Sequence, residues 1–205
     1  MPSDTGAPED LRLPGARLLW WPGFLDDESA RVLYDRLEAD LQWQQRPLRM
    51  FGRSVLEPRL TAWYGDPDAR YRYSGRDHEP LAWSPDLVEV RDRVEAATRG
   101  RYNSALANLY RDGADHLGWH SDDERELGRQ PVIASLSLGA IRRMQFRPRP
   151  RGPIALQLDL PAGSLLVMAG ETQTRYHHRI TKTARLVAPR INVTFRRVHA
   201  ASVDS

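Results

Sequence analysis

The chain contains no cysteine. That absence excludes disulfides, thiolate zinc sites and thiol nucleophiles, so any bound metal must be held by histidine and carboxylate. Lysine is almost as scarce: Lys182 is the sole one among 30 basic residues. The others are arginines, which stay charged and can grip a phosphate or a carboxylate with paired hydrogen bonds. Net charge is only +3, too small for overall charge to mark a nucleic-acid binder. No apolar run approaches the roughly 18 residues of a membrane span, and Met1 to Asp10 lacks the basic and apolar regions of a signal peptide. The expectation is a soluble, cytoplasmic monomer with no membrane contact.

At 205 residues the chain suits one substantial core. Residues 1–12 are rich in Pro, Asp, Gly and Ser and are expected to be disordered. A helix is predicted from about Asp27 to Leu41, where Ala30, Leu33, Leu37 and Leu41 repeat at helical spacing behind a cap at Asp26. The Pro-, Gly- and aromatic-rich stretch from Arg46 to Ser74 suggests hairpins and loops rather than a regular layer. A second helix starts at Ser84-Pro85, carries Leu87, Val90, Val94 and Ala97 as its apolar stripe, and ends at Gly100.

From Ala105 the period switches to two. Strands are predicted near 105–110, 132–138, 142–147, 154–160, 163–169, 174–180 and 189–198. Seven short strands in so few residues imply a mainly β fold, a sandwich or jelly-roll barrel with the helices on one outer face.

Three segments carry chemistry. In the last strand Arg190, Asn192, Thr194 and Arg196 share one face, and Ile191, Val193 and Phe195 the other. If the polar face lines a barrel interior, its arginines need an anionic partner, because an unpaired buried guanidinium is very costly. His120-Ser121-Asp122 is a His-x-Asp pair, which alone usually marks a surface loop. With a distant second histidine it becomes a three-ligand site for Fe(II), Mn(II) or zinc. That histidine is His177 or His178, and alternation does not choose between them.

Together these segments resemble the AlkB family of Fe(II)- and 2-oxoglutarate-dependent dioxygenases. The likeness runs through Asn108 to Glu124, Ile133 to Ala140, Gly163 to Met168 and Arg190 to Arg196, within roughly residues 50–198. It implies a double-stranded β-helix (jelly-roll) core over 105–198, N-terminal helices and nucleotide-recognition hairpins over 13–104, and a tail at 199–205. It also implies Fe(II) on His120, Asp122 and His178, choosing His178 over its neighbour. Arg190, helped by Tyr110, would hold the distal carboxylate of 2-oxoglutarate. Asn108 and Arg196 would lie near the metal-proximal carboxylate, with Asn192 and Thr194 on the same face.

The resemblance extends to alkylated DNA, or RNA, as substrate. Asp123 matches a contact to the exocyclic amino group of the target base, and Tyr73, near Tyr71, a residue that stacks on the flipped base. Phe51 would be a wedge at a hairpin tip and Arg59 a basic group near the flipped nucleotide. Arg142, Arg143, Arg147, Arg149 and Arg151 are candidate phosphate contacts. The implied reaction consumes molecular oxygen and 2-oxoglutarate, oxidises an N-methyl group of 1-methyladenine or 3-methylcytosine, and releases succinate and formaldehyde. Rival expectations are an oxygenase of the same type acting on RNA, protein or a small molecule, a non-catalytic nucleic-acid-binding module, and a cupin-like metalloenzyme.

Overall fold

The computed structural model describes residues 6–50, 53–73 and 76–199. In chain order it begins β1 (Glu9–Asp10), β2 (Ala16–Trp21), α1 (Asp27–Asp40), β3 (Pro47–Met50), β4 (Arg53–Leu56), β5 (Leu60–Gly65), β6 (Tyr71–Tyr73), β7 (Arg76–His78) and α2 (Pro85–Thr98). There follow β8 (Ser104–Tyr110), β9 (Leu117–His120), β10 (Ile133–Gly139), β11 (Arg142–Pro148), β12 (Leu156–Leu160) and β13 (Leu165–Gly170). A single turn, α3 (Thr172–Arg175), leads into β14 (Tyr176–Ile180), and β15 (Arg190–Arg196) ends the series.

The strands form a seven-stranded sheet, in the order β1-β2-β13-β10-β15-β8-β5, and a four-stranded sheet, β12-β11-β14-β9. Two hairpins, β3-β4 and β6-β7, stand outside them. This is the jelly-roll arrangement expected from the sequence.

Alternation in β15 sets the layering. Ile191, Val193 and Phe195 pack into one core with Ala30 and Leu37 of α1 and Leu87, Val90 and Val94 of α2. The opposite face of β15 is turned toward the smaller sheet, so Arg190, Asn192 and Thr194 are buried and Arg196, at its end, is partly so. A second core, including Met144, Phe146, Leu166, Met168 and Ile180, fills the space between the sheets.

Both long helices start where their caps predict. The Asp26 carboxylate accepts the Ser29 N–H at 2.7 Å, and Ser84 Oγ accepts that of Leu87 at 3.3 Å, each satisfying a first-turn donor with no partner within its helix. Arg99, at φ 55, makes the left-handed C-cap one residue before the expected Gly100.

Two expectations are corrected. Glu9 and Asp10, placed in a disordered leader, pair with Trp20 and Leu19 of β2. The boundary near residue 104 does not divide the sheet, because β2 and β5 from the N-terminal part join strands from beyond it. β5 completes one edge by pairing with β8, burying Thr61 to Gly65 in a segment whose composition suggested only hairpins and loops.

Candidate active site

β9 and β14 pair antiparallel with His120 opposite His178. In β14, Tyr176, His178 and Ile180 point inward while His177 and Arg179 point outward, so His178 is the histidine that reaches the interior. The His120 and His178 rings meet edge-on with centroids 4.2 Å apart. Asp122, two residues past the end of β9, brings Oδ2 to 3.7 Å from His178 Nε2. One ligand atom from each of His120, Asp122 and His178 lies within 4.8 Å of the others.

The protonation states suit metal binding. His120 Nδ1 lies 2.9 Å from the Gly118 carbonyl, which can only accept, so Nδ1 carries a proton and Nε2 is the nitrogen left to face a metal. Burial pushes His178 down to about 3, leaving it a neutral donor. Burial alone would push the Asp122 carboxyl up, but the charge of Arg196 reverses this and holds it below its ordinary value. Arg196 Nη2 donates to Asp122 Oδ1 at 2.7 Å. Two imidazoles and a carboxylate are a donor set that fits Fe(II).

The same cavity, of about 150 Å3, is lined by Arg59, Asn108, Tyr110, Arg190, Asn192, Thr194 and Arg196. Arg190 is 1 % exposed. Its Nη2 donates to Ser137 Oγ at 2.8 Å, and its guanidinium lies 5.2 Å from the Tyr110 ring centre. Nε and Nη1 of Arg190 and the Tyr110 hydroxyl make no hydrogen bond of good geometry among the described residues, although the guanidinium faces that hydroxyl. Burial pushes Arg190 down to about 10, still charged at neutral pH. A buried cation with nitrogens left for a further acceptor, beside the Tyr110 hydroxyl and in one cavity with the triad, fits a carboxylate of 2-oxoglutarate.

The other interior residues are braced by the scaffold. Arg59 Nε donates to Asn108 Oδ1 at 2.7 Å, and Asn192 Nδ2 to Ser135 Oγ at 2.8 Å and the Leu136 carbonyl at 2.9 Å. Thr194 Oγ1 donates to Asn192 Oδ1 at 3.1 Å.

The candidate phosphate contacts separate by strand parity. Arg142 faces inward with Met144 and Phe146 and is 2 % exposed. It donates to the carbonyls of Asp112, Asp115 and Thr181 at 2.6 to 2.9 Å, so it braces the loop between β8 and β9 and is unavailable to a phosphate. Gly113 is required in that loop, because a side chain there would collide with the Thr183 carbonyl. Arg143 points outward and pairs with Asp159 at 2.7 Å. Arg147 lies over the Trp119 ring, and Arg151 is exposed. Arg149 Nη1 donates to Asp123 Oδ2 at 2.6 Å, Ser121 Oγ at 2.9 Å and the Gln173 carbonyl at 3.0 Å. Asp123 is thus already held at the edge of the metal-ligand loop. Tyr71 and Tyr73 lie in β6, one arm of a hairpin. Phe51 lies outside the described residues.

Two contributors escaped the sequence reading. Buried Gln173, in α3, accepts the Asp122 N–H at 3.0 Å, and nothing in its sequence surroundings announces this. Glu124 lines the cavity two residues past Asp122, and burial raises its carboxyl above the ordinary value. Its signal was membership of the acidic run that follows His120.

Comparison with known proteins bears on this arrangement. A family model described as the 2OG-Fe(II) oxygenase superfamily matches residues 17–196. The human alpha-ketoglutarate-dependent dioxygenase alkB homolog 3 is 40% identical over 193 residues, covering 90% of this chain and 67% of that protein. The mouse DNA oxidative demethylase ALKBH2 is 38% identical over 217 residues, covering 96% and 90%. A solved structure of OsALKBH1 superposes with a TM-score of 0.64 at 17% identity, over 93% of this chain and 99% of that one, and so supports the fold.

Proposed function

The chain belongs to the 2OG-Fe(II) oxygenase superfamily, and from that premise we propose that it is an oxidative demethylase of alkylated DNA bases, restoring 1-methyladenine and 3-methylcytosine. The observation that carries this reading is the meeting of two features in one cavity. The His120, Asp122 and His178 donors lie within 4.8 Å of one another, and Arg190 is a buried cation with two nitrogens left for a further acceptor. The relatives named as a DNA oxidative demethylase support DNA as the substrate.

Bound Fe(II) would couple decarboxylation of 2-oxoglutarate by molecular oxygen to hydroxylation of the N-methyl carbon. The chain's own residues prepare for this. His120 and His178 offer nitrogen donors, and Asp122 stays ionised against Arg196. Arg190 and the Tyr110 hydroxyl would hold a carboxylate of 2-oxoglutarate, which would set its orientation before reaction. Met144, Leu160, Met168 and Ile180 line the cavity and exclude bulk water, which strengthens each of these charge contacts. The hydroxymethyl product then loses formaldehyde and the base is restored without strand cutting.

Asp123 follows the metal ligand Asp122 in the chain, and Arg149 holds its carboxylate at Oδ2, which orients it for the exocyclic amino group of an incoming base. Turnover on methylated single-stranded DNA, duplex DNA and RNA, read as formaldehyde released with Fe(II), ascorbate and 2-oxoglutarate, tests the reading. Release from DNA that depends on 2-oxoglutarate is expected. Release from RNA alone would move the function to RNA, and none from any methylated strand would refute demethylation of nucleic acid.

A further inference from the structure

The outer face of the four-stranded sheet carries a feature that the cavity chemistry does not use. Trp119 of β9 is half-buried between strands and receives two guanidiniums: Cζ of Arg147 lies 4.3 Å from its ring centre and Cζ of Arg179 lies 4.4 Å from it. Arg179 is further aimed by Gln145, whose Oε1 accepts from its Nε at 2.8 Å. Two like charges beside one ring repel each other, so they are a cost unless an anion joins them.

Their neighbours on the same face are neutralised. Arg143 is paired with Asp159 at 2.7 Å and Arg149 with Asp123 at 2.6 Å. Among the described residues Arg147 and Arg179 have no carboxylate partner, and Arg147 Nε has no hydrogen-bond acceptor. Contact with the Trp119 ring restrains both guanidiniums, which lowers the entropy lost when an anion binds.

We propose that Trp119, Arg147 and Arg179 form a phosphate-binding platform for the single strand flanking the flipped base, outside the catalytic cavity. The inference rests on the demethylase reading, since that reading makes the anion a phosphodiester. The path supports it: Arg149, two residues beyond Arg147, contacts Ser121 and Asp123 on either side of the metal ligand Asp122. A strand whose base enters beside Asp123 can run its backbone past the Arg149–Asp123 pair to Arg147 and Arg179.

The test is fluorescence anisotropy of a labelled, lesion-free single-stranded oligonucleotide with the full-length protein. The double variant Arg147→Gln, Arg179→Gln is expected to bind roughly tenfold more weakly at 0.1 M salt and to lose about 1.4 from the log–log salt slope, as two released single-strand contacts require. The double Lys variant keeps the charges and should retain the slope, which guards against a mere folding defect. Unchanged affinity and slope in the Gln variant, no oligonucleotide binding by wild type, or equal competition by polyglutamate would each overturn the platform. Formaldehyde release from a methylated nucleoside, which has no phosphate to engage the platform, reads the cavity separately. The Gln variant should match wild type there, whereas failure of wild type on every methylated substrate would refute the demethylase reading itself.

Discussion

Arg196, the last residue of β15, donates from Nη2 to Oδ1 of Asp122 across 2.7 Å, tying the final strand to the loop that follows β9. Strand alternation put Arg196 on one face with Arg190, and the resemblance placed it near the metal-proximal carboxylate of 2-oxoglutarate; its short contact in this structure is to the metal ligand Asp122. It keeps the Asp122 carboxylate ionised and oriented in a site where burial would otherwise favour protonation. Arg196→Ala should therefore weaken Fe(II) or Co(II) binding by roughly 10- to 100-fold, measured by calorimetry, while Arg196→Lys recovers part of the loss.

Arg190 leads to an opposite pair of outcomes. Replacing it with Met removes a buried guanidinium with two nitrogens left for a further acceptor, so the metal-free protein should be as stable as wild type or more stable. The same variant should lose the rise in Tm that 2-oxoglutarate gives wild type, a rise worth about 2.7 kcal/mol at a hundredfold excess over Kd. Thermal melts with and without 2-oxoglutarate check both.

The pH dependence of the metal-free protein follows from His178. Burial lowers it from 6.5 to about 3 in the folded chain, so between those values the unfolded chain takes up a proton that the folded chain refuses. Its contribution is present above pH 6.5 and is lost as pH falls toward 3. Asp122, held low by Arg196, acts in the same sense at the acid end. Urea titrations should show stability falling below pH 6.5, and His178→Gln should flatten that slope by up to about 1.4 kcal/mol per pH unit.

Gln173→Leu tests the brace behind the ligand loop. The variant leaves the Asp122 N–H without its acceptor, a loss of about 1–3 kcal/mol that the loop can escape only by moving. Metal affinity should fall while the far-UV circular dichroism spectrum stays unchanged. Unaltered affinity would show that the loop is held without Gln173.

The most legible part of the sequence was β15, because its strict alternation places four polar residues on one face and the apolar core on the other. The helix starts were legible from their caps. β2 and β5 were not: neither alternates, and their partners β13 and β8 lie far along the chain, so only long-range pairing reveals them. Parity narrowed the metal ligand to His177 or His178, and sheet closure is what turns His178 inward. Arg142 was misread although its parity with Met144 and Phe146 was visible, since a cluster of five arginines looked like surface. Gln173 was invisible because its role is to receive one backbone N–H from a distant loop.

The central claim is that this cavity couples 2-oxoglutarate oxidation to removal of a methyl group from DNA. Its most direct test is the stoichiometry of succinate formed to base restored on 1-methyladenine-containing DNA, for wild type and His120→Ala. One succinate per restored base in wild type, with both products lost in the variant, is the expected result. Base restored without succinate, or restored equally by His120→Ala, would contradict it.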